Sequence, residues 1–118
     1  MAKKTALFCL LSALLCSPLQ SKAHEHEETG EALYLKYCAP CHGTDGSGNG
    51  KEGIRLSPPP ADLRLAMGEQ IISDEYLMWT IREGGQNIHT DMPSFEESSA
   101  LTQREAYKII RYLWDAFK

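Results

Sequence analysis

Residues 38–42 read Cys-Ala-Pro-Cys-His. Two thiols and an imidazole within five positions must end in one of a few arrangements: a small disulfide ring, a metal clip, a redox dithiol or an anchor for a larger group. Each arrangement needs different company elsewhere in the chain, so the remaining sequence decides among them.

The first 23 residues carry the marks of an export signal. Lys3 and Lys4 precede an uncharged, mostly apolar run from Thr5 to Cys16, and Ser21-Lys22-Ala23 offers small residues at the two positions a signal peptidase reads. The run is short for a bilayer span and is followed by Pro18. The expectation is therefore a removed signal peptide over residues 1–23, not a retained anchor, with no stable membrane insertion afterwards. Phe8 and Leu15 precede Cys9 and Cys16, where a lipid-acceptor cysteine resembles one preceded by a small residue. Residues 24–28 (HEHEE) are expected as a flexible polar tail and residues 29–118 as one domain.

Removing 23 of the 118 residues leaves 95, and of the four cysteines only Cys38 and Cys41 remain. One close pair is not a disulfide framework. Ninety-five residues make one small domain with a thin core, which gains from a staple such as a metal, a crosslink or a bound cofactor. Loss of Lys3, Lys4 and Lys22 leaves nine basic residues against sixteen acidic ones, a formal charge of −7. That disfavours nucleic acid as a partner, since phosphate binding wants a basic face. It suits a partner with a basic docking patch.

Three stretches read as helices. The first runs from about Thr29 to Cys38, with Thr29 as N-cap and Glu31 in the first turn. The second starts at Ser73, with Asp74 and Glu75 near its positive end, and stops at Gly84-Gly85. The third opens with a Thr102/Glu105 capping box, and Ala106, Ile109, Ile110, Leu113 and Phe117 follow at helical spacing, widened by Tyr107 and Trp114. Between the first two lie a Gly-rich stretch from Gly43 to Gly53, read as a mobile loop, and SPPPADL, which cannot continue a helix. No alternation of useful length suggests a strand, so the expected class is a small all-α domain whose centre is filled by something else.

Structural zinc needs four ligands, and His24, His26 and His89 stand at no zinc-finger spacing. A thioredoxin-like dithiol needs a βαβ setting; here a helix precedes the motif and a Gly-rich loop follows. A plain disulfide leaves His42 unexplained. Covalent haem attachment uses every letter: two thiols add across the two vinyl groups of one porphyrin as thioethers, and the next imidazole is carried under the iron. The predicted cofactor is thus one haem c, held by Cys38 and Cys41 with His42 as proximal ligand.

With these residues in place the chain resembles a bacterial class I cytochrome c over essentially the whole sequence after residue 23. The resemblance implies an all-α cytochrome c fold, three or more helices around one haem. It also implies a second axial ligand, a methionine on a loop before the last helix. Met92 matches by position, 50 residues after His42, and by the Pro93 that follows; proline restricts the preceding residue to extended backbone. His89 is the rival, three residues earlier. Met78 reads as core filler in an apolar helix, Met67 lies closer to the cysteine motif than the family's ligand loop, and Met1 falls in the signal segment.

The resemblance further likens Gly30 and Tyr34 to the small and aromatic residues of the family's first helix, which cross the last helix at the places held here by Ile109 and Tyr112. One carbonyl of the Ser57–Pro60 run is expected to accept the second imidazole N–H of His42, an interaction that orients the ring. Trp79 and one of Arg55 or Arg64 are candidates for haem-propionate contacts. The implied role is a periplasmic one-electron carrier, not an enzyme, meeting a protein donor and a protein acceptor as a monomer in transient complexes. The alternatives are a haem subunit held permanently in a larger oxidoreductase, and a haem sensor, which would need Met92 absent or labile.

Two motif imitations carry less. Asp45, Ser47, Asn49 and Gly50 sketch a calcium loop, but Leu56 stands where a bidentate Glu is required. Lys51 is followed by Glu52, not by the Ser or Thr of a phosphate loop. HEHEE could bind Cu(II) through a new amine, His24 and His26, although a solvated tail is the simpler reading.

Overall fold

A computed structural model describes residues 27–118. The export signal expected at 1–23, and His24 and His26 of the expected tail, lie outside the described residues. Among the described residues there are five α-helices and no strand: α1 Gly30–Tyr37, α2 Ala39–His42, α3 Leu63–Ala66, α4 Asp74–Glu83 and α5 Gln103–Phe117. Short 3-10 turns at Gly53–Arg55 and Gln86–Ile88 interrupt the loops. No described helix is long and apolar enough to cross a membrane.

The three expected helices form with the expected caps. Thr29 accepts from Ala32 N at 3.1 Å, Ser73 from Tyr76 N at 3.1 Å, and Thr102 and Glu105 exchange both bonds of a capping box. α2 and α3 were not foreseen. α2 follows α1 after one residue, Cys38, and Pro40 near its start lacks the backbone donor that would continue the first helix. α3 begins where the proline run ends, and Asp62 caps it by accepting from Arg64 N at 3.0 Å.

The core lies where α5 crosses α1. Leu33, Tyr34, Ile109 and Ile110 are wholly buried, and Ala106 and Leu113 complete the α5 stripe. Tyr107 does not join it. It stands one residue beyond Ala106, about 100° around the helix, and is exposed. Gly30 permits the crossing: a Cβ there would sit 2.2 Å from the carbonyl oxygen of Lys108 and 3.1 Å from Tyr112 Cβ. Thus the α5 backbone at Lys108, with Tyr112 beside it, fills the notch expected for Ile109 and Tyr112.

Tyr34, Tyr112 and Phe117 pack ring against ring, with centroids 5.2, 5.5 and 5.9 Å apart, the tilted geometry that aromatic quadrupoles favour. The Tyr34 hydroxyl donates to Gly43 O at 2.6 Å and so fixes the end of α2 to the crossing. Trp114 Nε1 donates to Asp74 Oδ1 at 2.6 Å and ties α5 to the first turn of α4.

Two substitutions measure this arrangement. Gly30→Ala drives a methyl into the α5 backbone and should lower unfolding free energy by about 1–3 kcal/mol, the cost of overpacking. Tyr34→Phe leaves the Gly43 carbonyl only its longer bond from Gly46 N, at 3.3 Å, and should cost about 0.5–1.5 kcal/mol. Denaturant unfolding of the loaded protein, followed by far-ultraviolet circular dichroism, reads both; midpoints equal to wild type would contradict the packing described.

Candidate functional site

Cys38, Cys41 and His42 are delivered to one place by the break between α1 and α2. Cys38 occupies the junction, and the single turn that follows carries Cys41 and His42. Both thiols are free and half-buried. They border a cavity of about 250 Å³ whose remaining wall is mostly apolar: the 56–61 stretch, Leu63, Ala66 and Met67, Ile72, Tyr76 and Leu77, then Ile88 and Phe95. A wider, shallow groove between the start of α1 and α5 is ringed by Glu27, Glu31, Arg111 and Asp115; it is a charged surface depression and holds none of the cysteine-motif residues.

The expected mobile loop after the motif is instead docked onto it. A helix leaves its last carbonyls without intrahelical donors, and here the following residues supply them. Glu52 N donates to Pro40 O at 2.8 Å, Gly50 N to Cys41 O at 3.0 Å and Gly48 N to His42 O at 2.7 Å. Asp45 closes the turn by accepting from Ser47 N and Ser47 Oγ.

His42 Nδ1 lies 3.1 Å from the carbonyl of Ala61, to which it donates. The partner is therefore one residue beyond the Ser57–Pro60 run. The three prolines form the wall that carries the chain there, and the residue after them presents its oxygen. This bond leaves Nε2 as the one ring nitrogen free to ligate, and it fixes the ring's orientation. Burial holds the His42 imidazole below its ordinary range, opposed by the Ala61 bond, which favours the protonated ring.

Burial pushes the Cys38 thiol up to about 12, with the neighbouring Cys41 adding in the same direction. Burial also raises Cys41, as does Glu52. A redox dithiol needs the reverse, a thiolate stabilised near neutral pH.

Met92 lines the same cavity and packs against the core; His89 is exposed and does not line it. His89 takes a left-handed backbone, φ 56°, three residues before Met92 on the same loop. Met78 packs on the core away from the cavity, whereas Met67, 2% exposed, forms part of the cavity wall. The candidates for propionate contact are not brought there. Trp79 is exposed, Arg64 pairs with Asp62 at 2.7 Å and Asp45 at 3.7 Å, and Arg55 pairs with Glu52 at 3.5 Å.

The polar groups that do border the cavity are Tyr37, Tyr76, Thr80, Thr90 and Asp91. Sequence reasoning passed over them, although Tyr76 and Thr80 share a helix face at i, i+4 with Leu77 beside them.

The donor set fits covalent haem: two thiols, an imidazole with one nitrogen committed, and thioethers, all on one mostly apolar hollow. Cys38 and Cys41 would hold the porphyrin; His42 Nε2 is the uncommitted ring nitrogen, and Met67 and Met92 each bring a thioether to the cavity wall.

A comparison with curated proteins finds no match. Residues 25–113 match a protein family described as cytochrome c oxidase, cbb3-type, subunit III. That match covers most of the chain, including both cysteines, His42 and Met92. Haem-based electron transfer follows at the level of the family. The chain belongs to this family and is a class I c-type cytochrome domain of the cbb3 oxidase subunit III type.

Proposed function

We propose that this chain is an exported one-electron carrier whose single haem c is bound through Cys38 and Cys41 and ligated by His42 and Met92. The observation that carries this reading is the convergence of these four side chains on one apolar cavity. The haem iron, when bound, supplies exchange between Fe(III) and Fe(II).

The chain's own part is positional. His42 is oriented by Ala61 O, so one nitrogen faces the cavity as a neutral donor. Met92 offers a soft thioether, which favours reduced iron and raises the potential relative to a second imidazole. Held by both His42 and Met92, a bound haem would offer small molecules no open coordination site. The apolar wall keeps water from the centre, which lowers the reorganisation that each change of charge would otherwise demand.

Export places the carrier in the periplasm, with residues 1–23 removed and residues 24–28 as its polar tail. Its acidic balance suits protein donors and acceptors that present basic docking patches. A second reading has one specific support. The matched family is described as an oxidase subunit, so the domain could act within a permanent complex. Co-elution with a fixed partner on gel filtration of native extracts would favour that reading; elution as a free small protein would favour the carrier.

Two measurements test the ligation and the processing. Met92→Ala should abolish the sulfur-to-iron band near the red edge of the oxidised spectrum and admit CO to the reduced protein, whereas His89→Ala should leave both unchanged. Survival of the band in Met92→Ala would refute the assignment. Intact-mass analysis of exported protein should give a chain beginning at His24 plus one haem; an uncut N-terminus would refute the signal reading.

A further inference from the structure

The segment that carries Met92 has little core of its own. Met92 is half-buried, Pro93 is exposed, and Phe95 is the one buried side chain between residues 86 and 100. Hydrogen bonds to the end of α4 hold it instead. Ile81 O accepts from Phe95 N at 3.3 Å, and Arg82 O accepts from both Glu96 N at 3.1 Å and Ser94 Oγ at 2.7 Å. Ser94 Oγ also accepts from Glu97 N at 3.0 Å, so a single hydroxyl joins the helix end to the turn beyond Met92. From the other side Gly85 N donates to Met92 O at 2.8 Å.

Gly84 makes the approach possible. Its φ is +69°, a region costly for residues with a side chain. A Cβ there would also lie 2.6–2.7 Å from backbone atoms of Met92, Pro93 and Ser94. The Arg82–Glu96 ion pair spans the same junction at 2.5 Å, but both groups are exposed and such pairs contribute little.

We propose that Ser94 and Gly84 are positioning residues for Met92, setting how much of the time its thioether is withdrawn from the cavity. The proposal rests on the reading of Met92 as an iron ligand. A thioether is a weak, neutral ligand, so its occupancy depends on how firmly the protein holds the segment that bears it. The segment is held by a few hydrogen bonds, and the loss of one multiplies the population of the released state by up to about tenfold. Ser94 acts through the backbone of α4, and Gly84 by letting that backbone and the Met92 segment meet.

The test uses the haem-loaded protein as it is exported. Imidazole is titrated into the oxidised form, following the sulfur-to-iron band, and CO is mixed with the reduced form. Ser94→Ala should bind imidazole several-fold to tenfold more tightly and take up CO faster by a similar factor, with haem content unchanged. Ser94→Thr, which keeps the hydroxyl, should return both towards wild type. Gly84→Ala should show the larger effect; should it not fold, Ser94→Ala carries the test.

Gly30→Ala is the control, since it strains the fold at the α1–α5 crossing and does not touch the Met92 segment. Imidazole and CO binding by Ser94→Ala equal to wild type would overturn the proposal. So would an equal rise in Gly30→Ala, which would mean that general loss of stability suffices. A wild-type spectrum without the sulfur band would instead overturn the Met92 assignment itself, an outcome visible before any variant is compared.

Discussion

The carbonyls at the ends of two short helices organise this domain. Helix geometry leaves them without intrahelical donors, and unpaired polar backbone in a partly buried place is costly. At α2 the amides of Gly48, Gly50 and Glu52 turn back onto His42, Cys41 and Pro40. At α4 the amides of Phe95 and Glu96, with the Ser94 hydroxyl, turn back onto Ile81 and Arg82. Each loop that satisfies a helix end also lies beside one half of the cofactor site. Closing the helix and fixing the segment beside the cavity are thus one physical event, and a loop with few buried side chains can still be held in place.

The α1–α5 crossing connects these two ends. Gly30 lets the two helix backbones meet at Lys108, and the ring cluster of Tyr34, Tyr112 and Phe117 fills the space around it. Tyr34 then reaches Gly43 at the end of α2, and Trp114 reaches Asp74 at the start of α4. One hydroxyl from α1 and one indole from α5 therefore tie the end of α2 and the start of α4 to the same crossing. The core is small, but its two polar outliers are spent on anchoring α2 and α4 to the crossing.

Much of this was legible in the sequence, for definable reasons. Caps are local, so Thr29, Ser73 and the Thr102/Glu105 box marked three helix starts correctly. The motif at 38–42 is also local, whereas Met92 was legible only through the family resemblance, 50 residues after His42; the structure sets Cys38, Cys41, His42 and Met92 around one cavity. What the sequence hid was contact between distant segments. The Gly43–Gly53 stretch has the composition of a free loop, and nothing local says that its amides face α2.

The choice of Ala61 over its proline neighbours depends on how three prolines direct the chain, a matter of three-dimensional path. Trp79, Arg55 and Arg64 were sound candidates by chemistry, yet each arginine has an acid within three residues in sequence. Local pairing took them first. Met67 was set aside by position and proves to be cavity wall, because α3, which delivers it, was not foreseen.

The cavity also bears on why so small a chain adopts this shape. Its walls draw on the cysteine motif, the proline run, α3, α4 and the Met92 loop, and they are mostly apolar. Packed against water, such walls would gain little, since apolar surface stabilises a fold only when it is removed from solvent. The buried side chains around Leu33, Ile109 and Ile110 join α1 to α5, but they leave α3 and the proline run with few protein partners. A bound porphyrin would supply the missing inner surface, so that ligand binding and folding free energy become partly the same quantity. On this view the thioethers do more than prevent loss of the cofactor. They make the largest apolar element of the core a covalent part of the chain.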